Sequence, residues 1–242
     1  MEGKAVKDKA GNDVLLTQTG EYLDAIGKMT IKADGSIATE LITEYAVSDE
    51  TVKVLEESWI SEINGKLGQV VGTVLDVLDN YDMSGNRIVR MQETNTGDFC
   101  ADALRVFTDA DIALINGGGI RTNINRGNIL FNDLYNIMPF GDMIATGIIT
   151  GQQLLDVLEF SVSSLPAESG SFMQVSGLRF DVNPSIPSPV VKDSETSLFS
   201  YVGEGNRRVS NVEVLDKESG EYKEIELSHQ YIMATLDYLI LE

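Results

Sequence analysis

Apolar residues along this chain recur at helical spacing in some stretches and cluster into short strand-like runs in others. Val52, Leu55, Trp59, Ile63 and Leu67 fall on one face of a helix predicted over 48–67. Ser48 is positioned to cap it, Asp49 and Glu50 suit the positive N-terminus, and Gly65 and Gly68 mark its end. A second helix is predicted over 97–107, with Phe99, Ala103, Leu104 and Phe107 turned inward. Thr150-Gly151-Gln152-Gln153 fits a capping box and opens a third, striped by Leu154, Leu155, Leu158 and Val162. Strand-like runs occupy 14–18, 70–78 and 112–115, and Ala33-Asp34-Gly35-Ser36 reads as a hairpin turn. Residues 209–215 and 222–227 form a hairpin joined through Glu218-Ser219-Gly220. Residues 184–200 hold three prolines and several serines and read as a mobile surface excursion. Helices and strands are intermixed, so the chain is a layered α/β protein.

Composition narrows the partners. A chain of 242 residues fits one domain, or one domain plus a fragment, and can bury a real core. Its formal net charge is −20. That argues against nucleic-acid duplexes and anionic membranes, which both need basic surface. An anionic ligand would be repelled at long range, so its site must rely on locally placed arginines and backbone N–H groups. Cys100 is the single cysteine, so no intrachain disulfide forms; it reads as a small apolar residue on a helix face. No stretch approaches the length of a membrane span, and the first residues lead into polar sequence with no signal peptide.

Candidate chemistry concentrates in 116–142. After the apolar run Ile112–Ile115 come Asn116, three glycines, Ile120 and Arg121. Glycines let a backbone approach a ligand closely or take φ > 0. Arg121 supplies a permanently charged fork suited to phosphate or carboxylate. The glycine run is not a dinucleotide fingerprint, because position 122 is Thr and no helical pattern starts there. Pro139 and Gly141 bracket Phe140 in a loop. On the residues alone Phe140 is either a buried anchor or an exposed face that stacks a base. His229 is the only histidine and reads as structural, and Arg126, beside a turn at Gly127, divides evenly between surface and site.

The ordered combination of 116–142 with Arg90-Met91-Gln92-Glu93-Thr94-Asn95-Thr96-Gly97-Asp98-Phe99 and Tyr231-Ile232-Met233-Ala234-Thr235-Leu236-Asp237-Tyr238-Leu239 resembles the 5'-nucleotidase family. That family includes 2',3'-cyclic phosphodiesterases and UDP-sugar hydrolases, and the likeness is to its C-terminal, substrate-binding domain. The resemblance implies a four-layer α/β/β/α domain over 70–242, a linker helix over 46–69 and, over 1–45, the end of a metallophosphatase domain carrying the Leu16-Thr17-Gln18-Thr19-Gly20-Glu21-Tyr22 segment. It implies that Arg90 and Arg121 hold a nucleotide's phosphate side. Asn116 and Gly119 would add amide and backbone N–H contacts. Phe140 and Tyr238 would clamp the base, although Tyr238 reads equally as a strand-end core residue.

The family's metal pair, whether zinc, manganese or cobalt, is held by His-, Asp- and Asn-bearing segments of its N-terminal domain, and none of these is in this sequence. Nor is the Gly-Gly-Asp-Gly turn that contacts ribose; the sequence stops at Glu242. The expectation is a nucleotide-binding half with no catalytic or metal-ligating residue and no cofactor of its own, inactive alone. Its parent would be a secreted, periplasmic or cell-wall-attached hydrolase of nucleoside phosphate esters, and its partners would be a nucleotide or nucleoside and the parent's metallophosphatase domain. The alternative is a non-catalytic nucleotide-binding or cell-surface interaction module on the same fold.

Overall fold

The computed structural model describes residues 3–20, 24–44, 48–196 and 199–241. Residues 1–2, Tyr22, the 45/46 boundary and Glu242 of the sequence reading lie outside them. The chain divides into two compact units, 1–64 and 65–242.

In the first unit, β1 (Lys4–Lys7) pairs antiparallel with β2 (Asp13–Leu16), and β3 (Ile26–Ile31) with β4 (Ile37–Ile42). The β3–β4 turn falls where the sequence places it, with Gly35 at φ +82°. Helix α1 (Glu50–Leu67) runs across the unit boundary. Its cap is Asp49 rather than Ser48. The Asp49 carboxylate accepts from the N–H of Thr51 and Val52 at 2.8 and 3.2 Å, a reach that Ser48, one residue earlier, does not have. The Val52, Leu55, Trp59 and Ile63 stripe is present but exposed.

The second unit begins with β5 (Val70–Val74), followed by a short 3₁₀ turn at Ile88–Arg90, α2 (Asn95–Thr108) and β6 (Ile112–Asn116). Then come β7 (Gly127–Leu130), α3 (Phe131–Ile137), β8 (Ile144–Thr150) and α4 (Gly151–Ser161). The chain continues through β9 (Met173–Ser176), β10 (Leu178–Val182), β11 (Val190–Lys192) and β12 (Phe199–Val202). It ends with β13 (Val209–Leu215), β14 (Tyr222–Glu224), β15 (Gln230–Leu236) and α5 (Tyr238–Leu241). The central sheet has the order β8-β15-β6-β9. Strands β15 and β6 are parallel; β8 and β9 run against them. Strands β10, β13 and β14 form a second antiparallel sheet. The prolines at 184, 187 and 189 precede β11, so the predicted surface excursion contains a short β11–β12 pair.

Two apolar clusters sit on opposite faces of the central sheet. Ala113, Ile115, Ala234 and Leu236 pack with Cys100, Ala101 and Leu104 of α2. Ile112, Leu114 and Met173 face Leu154, Leu158 and Val162 at α4 together with Val209, Val212 and Val214 of β13. The capping box at Thr150 and Gln153 is formed as predicted. The inward face of α2 matches the prediction only at Leu104. Gly97, Cys100, Ala101 and Leu104 are buried, whereas Phe99, Ala103 and Phe107 are exposed. Close packing selects the small residues: a Cβ at Gly97 would collide with the side chain of Gln174 on β9.

Leu158 is fully buried and Leu155 only partly. Leu158→Ala should therefore cost about 2–5 kcal/mol in urea unfolding, with a smaller loss for Leu155→Ala; equal losses would contradict the packing described. On α2, burial, then the carboxylates of Glu93 and Asp102, push the Asp98 carboxyl up to about 6. The folded state thus holds this proton more tightly than the unfolded chain does. The stability it contributes is present below the unfolded pKa near 4 and is lost as pH rises through 6. Asp98→Asn should flatten that part of the stability–pH curve, by about 1 kcal/mol after solvent screening is allowed for. An unchanged curve between pH 4 and 7 would count against it.

Candidate functional site

Four chain segments meet at one edge of the central sheet, and strand register explains why. Strands β6 and β15 are parallel, so Asn116-Gly117-Gly118-Gly119 and Asp237-Tyr238 leave the sheet at the same end. Ile144, which opens β8, pairs with Leu236, and Met173, which opens β9, pairs with Asn116. The segments before those strands, Phe140–Met143 and Gly170–Phe172, therefore arrive at that edge too. Ligands of open α/β sheets bind beyond the carboxyl ends of strands for this reason.

The result is a cleft of about 470 Å³ lined by Asn116, Gly118, Gly119, Phe140, Asp142, Gly170, Ser171 and Tyr238. That volume suits a small organic ligand. Phe140 and Tyr238 are 60% and 50% exposed, so neither is a core anchor. The loop bearing Phe140 turns at Gly141, φ +72°. Two bonds tie it to the Tyr238 segment: Met143 N–H donates to the Asp237 carboxylate and Asp237 N–H to the Met143 carbonyl, each at 2.9 Å.

The glycines serve close approach, and none of the three has positive φ. A Cβ on Gly117 would collide with the Val89 carbonyl oxygen, and one on Gly118 would lie 2.9 Å from the Gly170 oxygen. Their N–H groups donate to Phe172 and Gly170. Gly119 N–H is likewise engaged, donating to the Asn116 carbonyl at 2.9 Å. What Gly119 contributes to the cleft is therefore the absence of a side chain. The Asn116 amide donates weakly to the Gly170 oxygen, while its Oδ1 is buried without a protein partner.

Arginines gather beside this loop. Arg121 is half-buried, donates to the Gly118 carbonyl at 3.2 Å and lies with its guanidinium 5.6 Å from the Phe140 ring centre. Arg90 closes the 3₁₀ turn whose Val89 carbonyl abuts Gly117. Its own carbonyl accepts from Ser169, next to the cleft residues Gly170 and Ser171. The Arg90 Nε is buried and unpartnered. Arg87 completes the group and was not singled out in the sequence. Burial, followed by the charge of Arg90 and then, more weakly, of Arg121, holds its guanidinium below the ordinary arginine range. It donates to the Ile120 carbonyl at 3.0 Å. Asn80, fully buried, links the two halves of the cluster: its carbonyl accepts from Ile88 and Val89, and its amide donates to the Thr122 carbonyl.

The structure thus brings Asn116, Gly119, Phe140 and Tyr238 into one cleft, with Arg121 against Phe140 and Arg90 beside the glycine loop. Gly170, Ser171 and Arg87 were missed, because they come from segments whose local sequence carries no periodic or motif signal; Asp142 closes the 116–142 stretch but was given no role there. Arg126 is exposed, and His229 is exposed and packs edge-on against Tyr231. Among the described residues no three His, Cys, Asp or Glu side chains gather where they could hold a metal ion. The metal pair implied by the resemblance has no fitting ligand set here.

The fold is of the mixed α/β class, with two exposed aromatics in one cleft and arginines beside its glycine loop. Residues 70–242 match the family described as 5'-nucleotidase, C-terminal domain. The chain belongs to that family. The trifunctional nucleotide phosphoesterase YfkN of Bacillus subtilis is 29% identical over 69% of this chain and 12% of its own length. A 5'-nucleotidase of Vibrio cholerae is 30% identical over 68% of this chain and 32% of its own. Among solved structures, a 5'-nucleotidase precursor from Thermus thermophilus superposes over 98% of this chain and 44% of its own, with TM-score 0.63 and 26% identity. The chain spans no more than about a third of these two curated relatives and less than half of that solved one.

The glycine loop yields a direct test. Gly117→Ala should cost about 1–3 kcal/mol, because its Cβ meets backbone rather than a movable side chain. Gly119→Ala, whose Cβ would lie 3.2 Å from the Asn116 side chain, should cost clearly less. Denaturant midpoints in the reverse order would refute the close-approach account.

Proposed function

We propose that this chain is the nucleotide-binding half of a 5'-nucleotidase-type phosphoesterase. Over 1–45 it would carry the end of the metallophosphatase domain, followed by the linker helix over 46–69 and the binding domain over 70–242. The base stacks on Phe140 and Tyr238; Arg87, Arg90 and Arg121 hold the phosphate side; the Asn116 side-chain amide borders the ligand. The observation that carries this reading is the placement of two exposed aromatics in one cleft with three arginines grouped beside its glycine loop. Three cations brought together raise one another's energy, and an anion relieves that repulsion. The family membership and the nucleotidase names of the relatives support the same reading.

Hydrolysis would take place at a divalent metal pair in a metallophosphatase domain, outside the residues described here. The parent protein would then be a nucleotide hydrolase of the cell exterior. This chain's residues would bind and orient a nucleoside phosphate and carry no bond-breaking step. Base stacking is indifferent to base identity, because every base has a π-face. The cleft should therefore accept purines and pyrimidines alike.

The chain should bind AMP more tightly than adenosine in calorimetric titrations, and Phe140→Ala should weaken both by about 1–3 kcal/mol. Equal affinities for AMP and adenosine would remove the phosphate role of the arginines, and unchanged adenosine binding in Phe140→Ala would remove the stacking role. Assayed with manganese, cobalt or zinc against AMP and a chromogenic phosphodiester, the chain should show no turnover. Activity that follows the protein peak through repurification would overturn the assignment of chemistry to another domain.

A further inference from the structure

Gln174 on β9 is 1% exposed, and both ends of its amide are used by the backbone of one short segment. Its Nε2 donates to the carbonyls of Val89 and Gln92, at 2.9 and 2.8 Å. Its Oε1 accepts from the N–H of Thr94 at 3.1 Å. Thr94 is the N-cap of α2, its hydroxyl accepting from Gly97 N–H. The three contacts bracket Arg90: one lies just before it, and two lie between it and the start of α2. The Val89 carbonyl is in turn the atom that presses on Gly117. Gln174 therefore fixes both the height of the arginine turn above the sheet and its distance from the glycine loop. A side chain that only filled space would not need both faces of an amide.

We propose that Gln174 is a positioning residue for the anion site: it sets where Arg90 points without touching the ligand. Arg90 cannot do this alone, since its buried Nε has no protein partner. The orientation of its guanidinium is inherited from the backbone at 88–92. An arginine pairs with a phosphate through a fixed fork, so a small rotation of its backbone costs directional bonds, whereas stacking on Phe140 and Tyr238 tolerates it. The role predicts an effect on phosphate recognition and none on base recognition. The proposal rests on the reading of the arginine cluster as the phosphate site.

The test compares AMP and adenosine binding to the 242-residue chain and to Gln174→Met and Gln174→Glu, with thermal unfolding of each variant. Met preserves length and volume and removes every hydrogen bond. Glu keeps an acceptor for Thr94 and loses both donors. The expected result is a loss of about tenfold in AMP affinity, equivalent to one charge-assisted hydrogen bond, with adenosine affinity unchanged in the variant that remains folded. A variant that weakens both ligands alike, or one that keeps the full preference for AMP, overturns the positioning role while the arginine site stands. Wild-type chain that does not prefer AMP overturns the arginine reading itself, and the positioning role with it. If neither variant folds, Gln174 is a structural residue and the proposal is wrong.

Discussion

The close contact between Gly117 and the Val89 carbonyl is the constraint on which the site depends. Any side chain at 117 would drive the arginine turn away from the loop that follows β6. With glycine there, the backbones of 88–90 and 116–119 lie against each other. Arg87 and Arg90 then share one small region with Arg121, which follows the glycines. Much else at this edge reinforces the contact: Gly117 N–H donates to Phe172, Ser169 donates to Arg90, and Asn80 binds both Ile88 and Thr122. In the proposed role, the same hydrogen bonds would set both stability and binding geometry.

The electrostatics have two scales. The chain as a whole is strongly acidic, at −20, and would hold an anion off at a distance. Within about a Debye length, roughly 8–10 Å, local charges dominate, and there Arg87, Arg90 and Arg121 act on one another. Stacking surfaces lie beside them. A nucleotide combines a dispersed π-face with a concentrated negative charge, and in the proposed role the aromatics and arginines would complement each in turn.

Much of this was legible in the sequence because it depends on local signals. The capping box at Thr150 and the strand before the glycines each carry their own pattern and formed as read, and the hairpin read over 209–215 and 222–227 formed with its second strand ending at Glu224. Phe140 stood out because Pro139 and Gly141 leave it no regular element. Other features depend on what packs against them. The inward face of α2 was misjudged because bulk suggested Phe99 and Phe107, whereas the sheet admits only Gly97, Cys100, Ala101 and Leu104 there. Gly170 and Ser171 carry no local signal. Their place follows from register, which puts the opening of β9 beside the end of β6. The apolar stripe of α1 was correctly seen as a stripe, yet periodicity does not say that it stays exposed.

The most direct test of the account is where the base lies. A crystal of the chain soaked with 8-bromo-AMP would mark the base by the anomalous signal of bromine. The account predicts one bromine peak between the rings of Phe140 and Tyr238, with the phosphate toward Arg87, Arg90 and Arg121. A peak elsewhere, for example in the cavity lined by Met91, Phe172 and Phe180, would contradict it.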